Sequence, residues 1–247
     1  MPEGPNDMSG AKRAAWAALG RAKTYEPEAV RALRAFRRAQ LIARIRLLSA
    51  WHGASTEVDI APDVRLGRRI GVRIWPGSRN SVRIGPGSIV EDDVRLTLNN
   101  GSLILGDNVE IRHHVIMMLW GGTLEIAGEN IISWGAVFHC ADSIRIGRQV
   151  SIGEYSTIVD STHVFTTPEA PFTHQTKTGP VEVGFNTWIA AKATISRNSK
   201  VGDHCIIASN AVVSGEVPSS HLASGAPATV RPLKHPWLKA GGKDEPV

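Results

Sequence analysis

Asp160 and His163 stand three residues apart in Asp160-Ser-Thr-His163, just before a polar, proline-rich stretch that runs from Phe165 to Pro180. An imidazole with an ordinary pKa near 6.5 can take a proton from a hydroxyl close to neutral pH, so His163 is the candidate general base. The carboxylate of Asp160 can orient that imidazole, hold an acceptor hydroxyl or cap a turn, and its residue type suits all three. Among the other histidines, His139 lies about one coil before Asp160 and is expected either near the same face or at a corner. His113 and His114 are expected on the surface, and His174 falls inside the polar stretch, where it can reach a neighbouring site. His204 and His221 carry no signal beyond the repeat that contains them.

That repeat is what must position the pair. An aliphatic residue, a Gly or Ala after it and a small residue four positions on recur as Ile146-Gly147 with Val150, Ile152-Gly153 with Ser156, Val183-Gly184 with Thr187, Val201-Gly202 with Cys205, and Ile207-Ala208 with Ala211. Gly85, Gly106, Gly128, Gly147, Gly184 and Gly202 add a longer period of about 20 residues, broken once. Short strands meeting at tight corners, three to a coil, satisfy both periods, which predicts a parallel β-helix of roughly seven coils. The aliphatic residue then points inward, the small one fills the corner, and the Gly is expected where a Cβ would strain the turn. Counting sixes from Ile146 puts Asp160 and His163 at the end of a third face. The stretch after them has no aliphatic rhythm and is read as a loop inserted over 164–182, outside the prism, with His163 at its root.

With 247 residues, 42% of them hydrophobic and 6% aromatic, the chain can bury one sizeable core rich in Val, Ile and Ala. Residues 1–55 are expected to form an N-terminal extension and helix, 56–216 the β-helix, and 217–247 an exit segment and flexible tail. From Glu28 to Leu48, Val30, Leu33, Phe36, Leu41, Ile45 and Leu48 fall at helical spacing amid six arginines. A helix there can cover the apolar cross-section and open strand edge of the first coil. Its charge also admits a membrane surface, a weaker reading, and no nucleic-acid module is present. Cys140 and Cys205 read as free thiols, and with no apolar run of membrane-spanning length the expected location is cytoplasmic.

Over residues 56–232 the chain resembles the hexapeptide-repeat acyltransferases of the sugar O-acetyltransferase type. The likeness is sharpest in the runs Val183 to Ile195, Val201 to Val213 and Val217 to Ala228, and Asp160-Ser-Thr-His163 resembles the family's Asp-x-x-His, whose His is the general base. The resemblance implies an all-β, left-handed parallel β-helix, a homotrimer with active sites between adjacent prisms, and direct acetyl transfer from acetyl-CoA to a hydroxyl. It implies cofactor contacts at Trp188, Ala190, Ala191, Lys192, Ala208, Ser209 and Arg231. Two departures stand out: Ala190-Ala191-Lys192 replaces a glycine-richer stretch, and Thr229 replaces the Lys of the family's exit segment, leaving Arg231, Lys234 or Lys192 to meet the CoA phosphates. A sugar is the expected acceptor, which Thr166, Thr167, Thr173, Gln175, Tyr155 and Trp134 would suit. Two other classes stay open. A noncatalytic β-helix that binds or scaffolds needs no such acid–base pair. A γ-class carbonic anhydrase would need a His-x4-His spacing that the chain lacks, so no metal is expected.

Overall fold

The computed structural model describes residues 27–164 and 176–234. Among these, one helix, Glu28–Trp51, precedes a parallel β-helix whose strands fall into three long sheets, with a separate two-stranded arm. Sheet I begins at Ser55–Ile60, sheet II at Arg65–Leu66 and sheet III at Gly71–Ile74; the chain visits them in turn, coil after coil. The expected coil number and the N-terminal helix are both present, the helix running three residues past Leu48.

Register is kept from coil to coil because a one-residue slip would turn every inward side chain out. In sheet I, Ile60, Ile84, Leu105, Ile126, Ile146, Val183, Val201 and Val217 form one inward column. Leu66, Val90, Ile111, Ile132, Ile152, Ile189 and Ile207 do the same in sheet II. Sheet III stacks Leu96, Met117, Phe138, Ile158, Ile195 and Val213. All these residues are buried, and each Val, Leu, Ile, Met or Phe taken fully out of water contributes about 1.5–3 kcal/mol.

The repeat glycines have a different reason from the one expected. Gly147, Gly153, Gly184 and Gly202 are not among the positive-φ residues. They are small because the next coil passes against them: a Cβ on Gly184 would sit 2.6 Å from the Gly202 carbonyl carbon and 2.7 Å from the Asp203 nitrogen. The left-handed backbone falls just before the small buried residue, at Gln149, Asn186, Lys192, Asn198, His204 and Asn210, with φ between 50° and 61°. Asn tolerates that region better than most side chains. Where the corner residue is polar it ties coils together. Ser156 Oγ donates to Ala190 O (3.0 Å), Thr187 Oγ1 to Gly202 O (3.0 Å), and Asn130 Nδ2 to Gly147 O (2.9 Å).

The helix closes the first coil with its arginines as well as its apolar side. Ile45 is buried and Leu41, Ile42 and Leu48 pack against the core. Arg38 Nε donates to Ile60 O (2.6 Å), Arg37 Nη1 to Leu66 O (3.1 Å) and Arg44 Nη1 to Ile70 O (2.9 Å). Three guanidiniums thus meet carbonyls on all sides of the first coil, around an edge that has no preceding coil among the described residues to pair with.

The inserted segment is not simply irregular, and it ends earlier than the expected 164–182, since Val181 and Glu182 already pair with Ile144 and Arg145 in sheet I. Ser161–His163 and Thr176–Thr178 pair antiparallel, outside the three long sheets. Threonines and alternate hydrogen bonding make a ribbon of what composition alone reads as loop. Gly179 N donates to Asp160 O (2.9 Å), and the chain re-enters sheet I with Val183 stacked on Ile146. Phe165 to Gln175, including His174, and the tail from residue 235 lie outside the described residues.

Replacing Gly184 by Ala should lower stability by about 1–3 kcal/mol, because beside the Asp203 carboxylate the methyl meets the Gly202 and Asp203 backbone, which cannot swing aside. A shift of the urea midpoint without change of slope is the expected reading, and an unchanged midpoint would contradict the close stacking described.

Candidate active site

His163 lies at the corner from sheet III to sheet I, where the arm departs. It is exposed, with Thr176 as its backbone partner across the arm. Beside the root of the arm is a cleft of about 510 Å³ lined by Ser161, Thr162, Ser196, Arg197, Asn198 and Ser214, with Val159 and Gly215. Four hydroxyls, an amide and a guanidinium make this a polar surface suited to a hydroxyl-rich ligand. His163 follows the lining residue Thr162 in the chain but is not itself part of the lining; Arg197 and the later serines, which the sequence does not mark, come from further coils and meet the arm only because the coils stack.

Asp160 takes the turn-capping role among those open to it. It is fully buried, and its carboxylate accepts from Ala141 N (2.7 Å) and Asp142 N (2.8 Å) of the preceding coil. These charge-assisted bonds fix the corner from which the arm, and so His163, projects. Beside it, burial and the Asp160 charge push the Cys140 thiol far up, away from any thiolate at neutral pH. His139, between Met118 and Val159 on the outer face of sheet III, is half-buried; desolvation lowers its pKa against the opposing pull of Asp160.

The residues expected to meet the cofactor gather elsewhere, at the corner from sheet II to sheet III in the last coils. Trp188 stands outward, 54% exposed, in register with Ser151 and Ile206. Lys192 is exposed at the next turn, with Ala191 half-buried beside it. Ala208 and Ser209 occupy the same corner one coil on, where Asn210 N donates to Ala191 O (3.1 Å). Arg231 is exposed on Thr229–Pro232, which pairs antiparallel with His221–Ser224 at the end of sheet II. Ala190 differs: it is 7% exposed and its carbonyl is taken by Ser156. The strands Thr157–Val159 and Thr194–Ile195 of sheet III separate this group from the His163 corner, so one chain does not bring the two together.

The remaining histidines have local partners. His113 Nε2 lies 3.2 Å from Glu91, His204 packs edge-on to Phe185 and meets Asn186 at 3.0 Å, and His221 Nδ1 approaches Ser219 O at 2.9 Å. Among the described residues no group of three His, Cys, Asp or Glu is placed to hold a metal ion.

Residues 180–215 match the bacterial transferase hexapeptide (six repeats) family. Over that segment the chain carries hexapeptide repeats. It is 31% identical over 127 residues to the Mycobacterium tuberculosis protein named probable acetyltransferase Rv3034c, a match covering 51% of this chain and 40% of that one. It thus spans less than half the length of that relative. Over 142 residues it is 23% identical to an Escherichia coli protein named for lipopolysaccharide biosynthesis O-acetyl transfer, WbbJ, covering 53% of this chain and 72% of that one. Among solved structures, the polysialic acid O-acetyltransferase OatWY shares the hexapeptide-repeat fold at a TM-score of 0.58 and 19% identity, over 72% of this chain and 84% of that chain. AntD, a Bacillus cereus N-acyltransferase solved with coenzyme A and a dTDP-amino sugar, gives 0.54 at 16% identity, over 63% of this chain and 85% of its own.

Two expectations separate structure from chemistry at this corner. Asp160→Asn should lower stability by about 1–3 kcal/mol, since one of the two N–H groups held by the buried carboxylate loses its acceptor, whereas exposed His163→Ala should leave the melting temperature nearly unchanged. Because the folded-state pKa of His139 is lowered, its neutral form is favoured by folding. Its contribution is fully present above about pH 6.5 and is lost as pH falls toward the lowered value. Thermal melts of wild type and His139→Gln over that range should diverge at the acid end in wild type's disfavour; parallel curves would remove His139 from the acid response.

Proposed function

We propose that this chain is an acetyl-CoA-dependent O-acetyltransferase acting on a hydroxyl of a sugar or sugar-like acceptor. The observation that carries the reading is the exposed His163 at the root of a strand-built arm, beside the hydroxyl-lined cleft of Ser161, Thr162, Ser196 and Ser214. The fold is that of proteins named for transfer of acyl groups to saccharides, and the two curated relatives are named acetyltransferases.

In this reading His163 removes the acceptor proton as the hydroxyl oxygen attacks the thioester carbonyl. It returns that proton to the departing thiolate, so the C–O bond forms, the C–S bond breaks and the imidazole ends neutral. A positioned base of this kind contributes about 10²–10⁴ in rate. Cys140 and Cys205 take no part: both are buried, with thiols held above their ordinary pKa by desolvation. Asp160 acts as a positioning residue through the corner it caps. Trp188, Ala191, Lys192, Ser209 and Arg231 supply an outward aromatic face and exposed cations for the nucleotide end of the co-substrate.

A homotrimer completes the site in this proposal, the cofactor corner of one copy facing the His163 corner of the next. The faces of the prism differ in a way that supports it. Outward on sheet I, Asp59, Arg83, Glu125, Arg145, Glu182, Lys200 and Glu216 alternate in sign, and Arg145 lies 3.5 Å from Glu182. Such a face suits water. Outward on sheet III, from Ile116 on, Ile116, Met118, Val137, Val159 and Val212 stand among Thr157, Thr194 and His139 and offer a largely apolar surface without acids or lysines to a neighbouring copy.

Calorimetry should show acetyl-CoA binding by both wild type and His163→Ala, with turnover of a sugar acceptor lost by about 10²–10⁴ in the variant. Light scattering should give the mass of three 26.6 kDa chains. Wild type that binds no acetyl-CoA would overturn the activity, and a monomer at working concentration would overturn the shared site.

A further inference from the structure

The helix Glu28–Trp51 has two apolar sides, and the prism accounts for one. Ile45 and its neighbours face the first coil. On the opposite side, at 100° per residue, Leu33, Phe36, Leu47 and Trp51 form a stripe with Gln40 and Ala43 between them. These four large side chains are 47%, 63%, 69% and 82% exposed, although burial of such groups is the main favourable term of folding. Arg37 and Arg44 flank the stripe on one edge and Arg46 on the other. Glu28 is the helix's only acid. The hydrogen bonds of Arg37 and Arg44 go to neutral carbonyls, so their positive charge is not cancelled.

Charge decides what can lie on the stripe. A second copy would bring arginine edges against arginine edges. The chain's own segment 11–23 carries Lys12, Arg13, Arg21 and Lys23 without an acid, and would meet the same repulsion. A flat surface that is apolar beneath and anionic above satisfies both features at once. Leu, Phe and Trp enter the interface with Arg46 at headgroup level, while Arg37 and Arg44, held on the first-coil carbonyls, add their positive charge from behind the stripe. No described helix is long and apolar enough to cross a membrane, so the contact is one of lying on the surface.

We propose that the outer face of this helix docks the protein on an anionic lipid bilayer surface. The proposal is independent of the acetyltransferase reading, and its test involves no turnover. The full chain would be sedimented with vesicles of phosphatidylcholine alone and of phosphatidylcholine mixed with phosphatidylserine, at low and high salt. The expected result is binding to the mixed vesicles at least about tenfold tighter than to the neutral ones, weakened by salt. It should be lost in Phe36→Ser/Trp51→Ser, whose melting temperature stays near wild type because both side chains are exposed. Failure of wild type to bind the mixed vesicles, or undiminished binding by the double variant, would overturn the proposal. So would self-association through the stripe, seen as a concentration-dependent increase in mass that the double variant abolishes.

Discussion

Everything in this molecule depends on how closely one coil lies on the next. Parallel strands one above another leave no space at the first corner, where Gly147 meets Gly184 and Gly184 meets Gly202, for even a methyl group. That contact sets the coil spacing, and the spacing keeps the inward columns in register from Ile60 to Val217. The same closeness lets a single hydroxyl or amide at Ser156, Thr187 or Asn130 bridge adjacent turns. Packing and hydrogen bonding thus favour one register, and any slip forfeits both.

A stack of this kind has ends and faces, and the sequence treats each differently. At the N-terminal end the open carbonyls receive arginines, a donor that remains charged while it bonds. On sheet I the exposed positions from Glu125 to Glu216 alternate in sign, so neighbours attract along the stack rather than repel. On sheet III from Ile116 on they turn largely apolar, mixed with Thr157, Thr194 and His139, and Trp75 and Trp120 pack with ring centres 4.9 Å apart beside them. One repeated backbone therefore carries three surfaces of distinct chemistry because outward positions are free of the packing rules that bind inward ones.

The same division separates what is legible in the amino-acid sequence from what is not. Inward columns repeat, so Ile146, Ile152, Val183 and Val201 announce coils, and a missing coil announces the insertion. The repeat glycines are legible as positions but not as causes. Taken one residue at a time, a glycine points to its own dihedral angles, whereas the clash lies with a coil about 20 residues on. Asp160 is legible as a polar residue at a corner, but its two partners, Ala141 and Asp142, belong to the coil that precedes it. Arg197 and Ser214 give no signal for the same reason. A site assembled across coils has no local signature, whereas His163 has one: it ends a face where the rhythm stops.

The rigidity that makes the fold readable also limits what one chain can do. The His163 corner and the corner bearing Trp188, Lys192 and Ser209 are fixed on either side of sheet III, whose strands are hydrogen-bonded to coils above and below. Among the described residues no hinge lies between them, and bending the prism would break the stacking at every coil. If the two groups serve one reaction, as proposed, the geometry must come from outside the chain. On that proposal the His163 corner and the Trp188 corner are complementary halves, and side-by-side packing of identical prisms can join them without deforming either. The arm then has a physical reason for its strands: it carries His163 beyond its own prism toward a reaction centre that the prism alone does not complete.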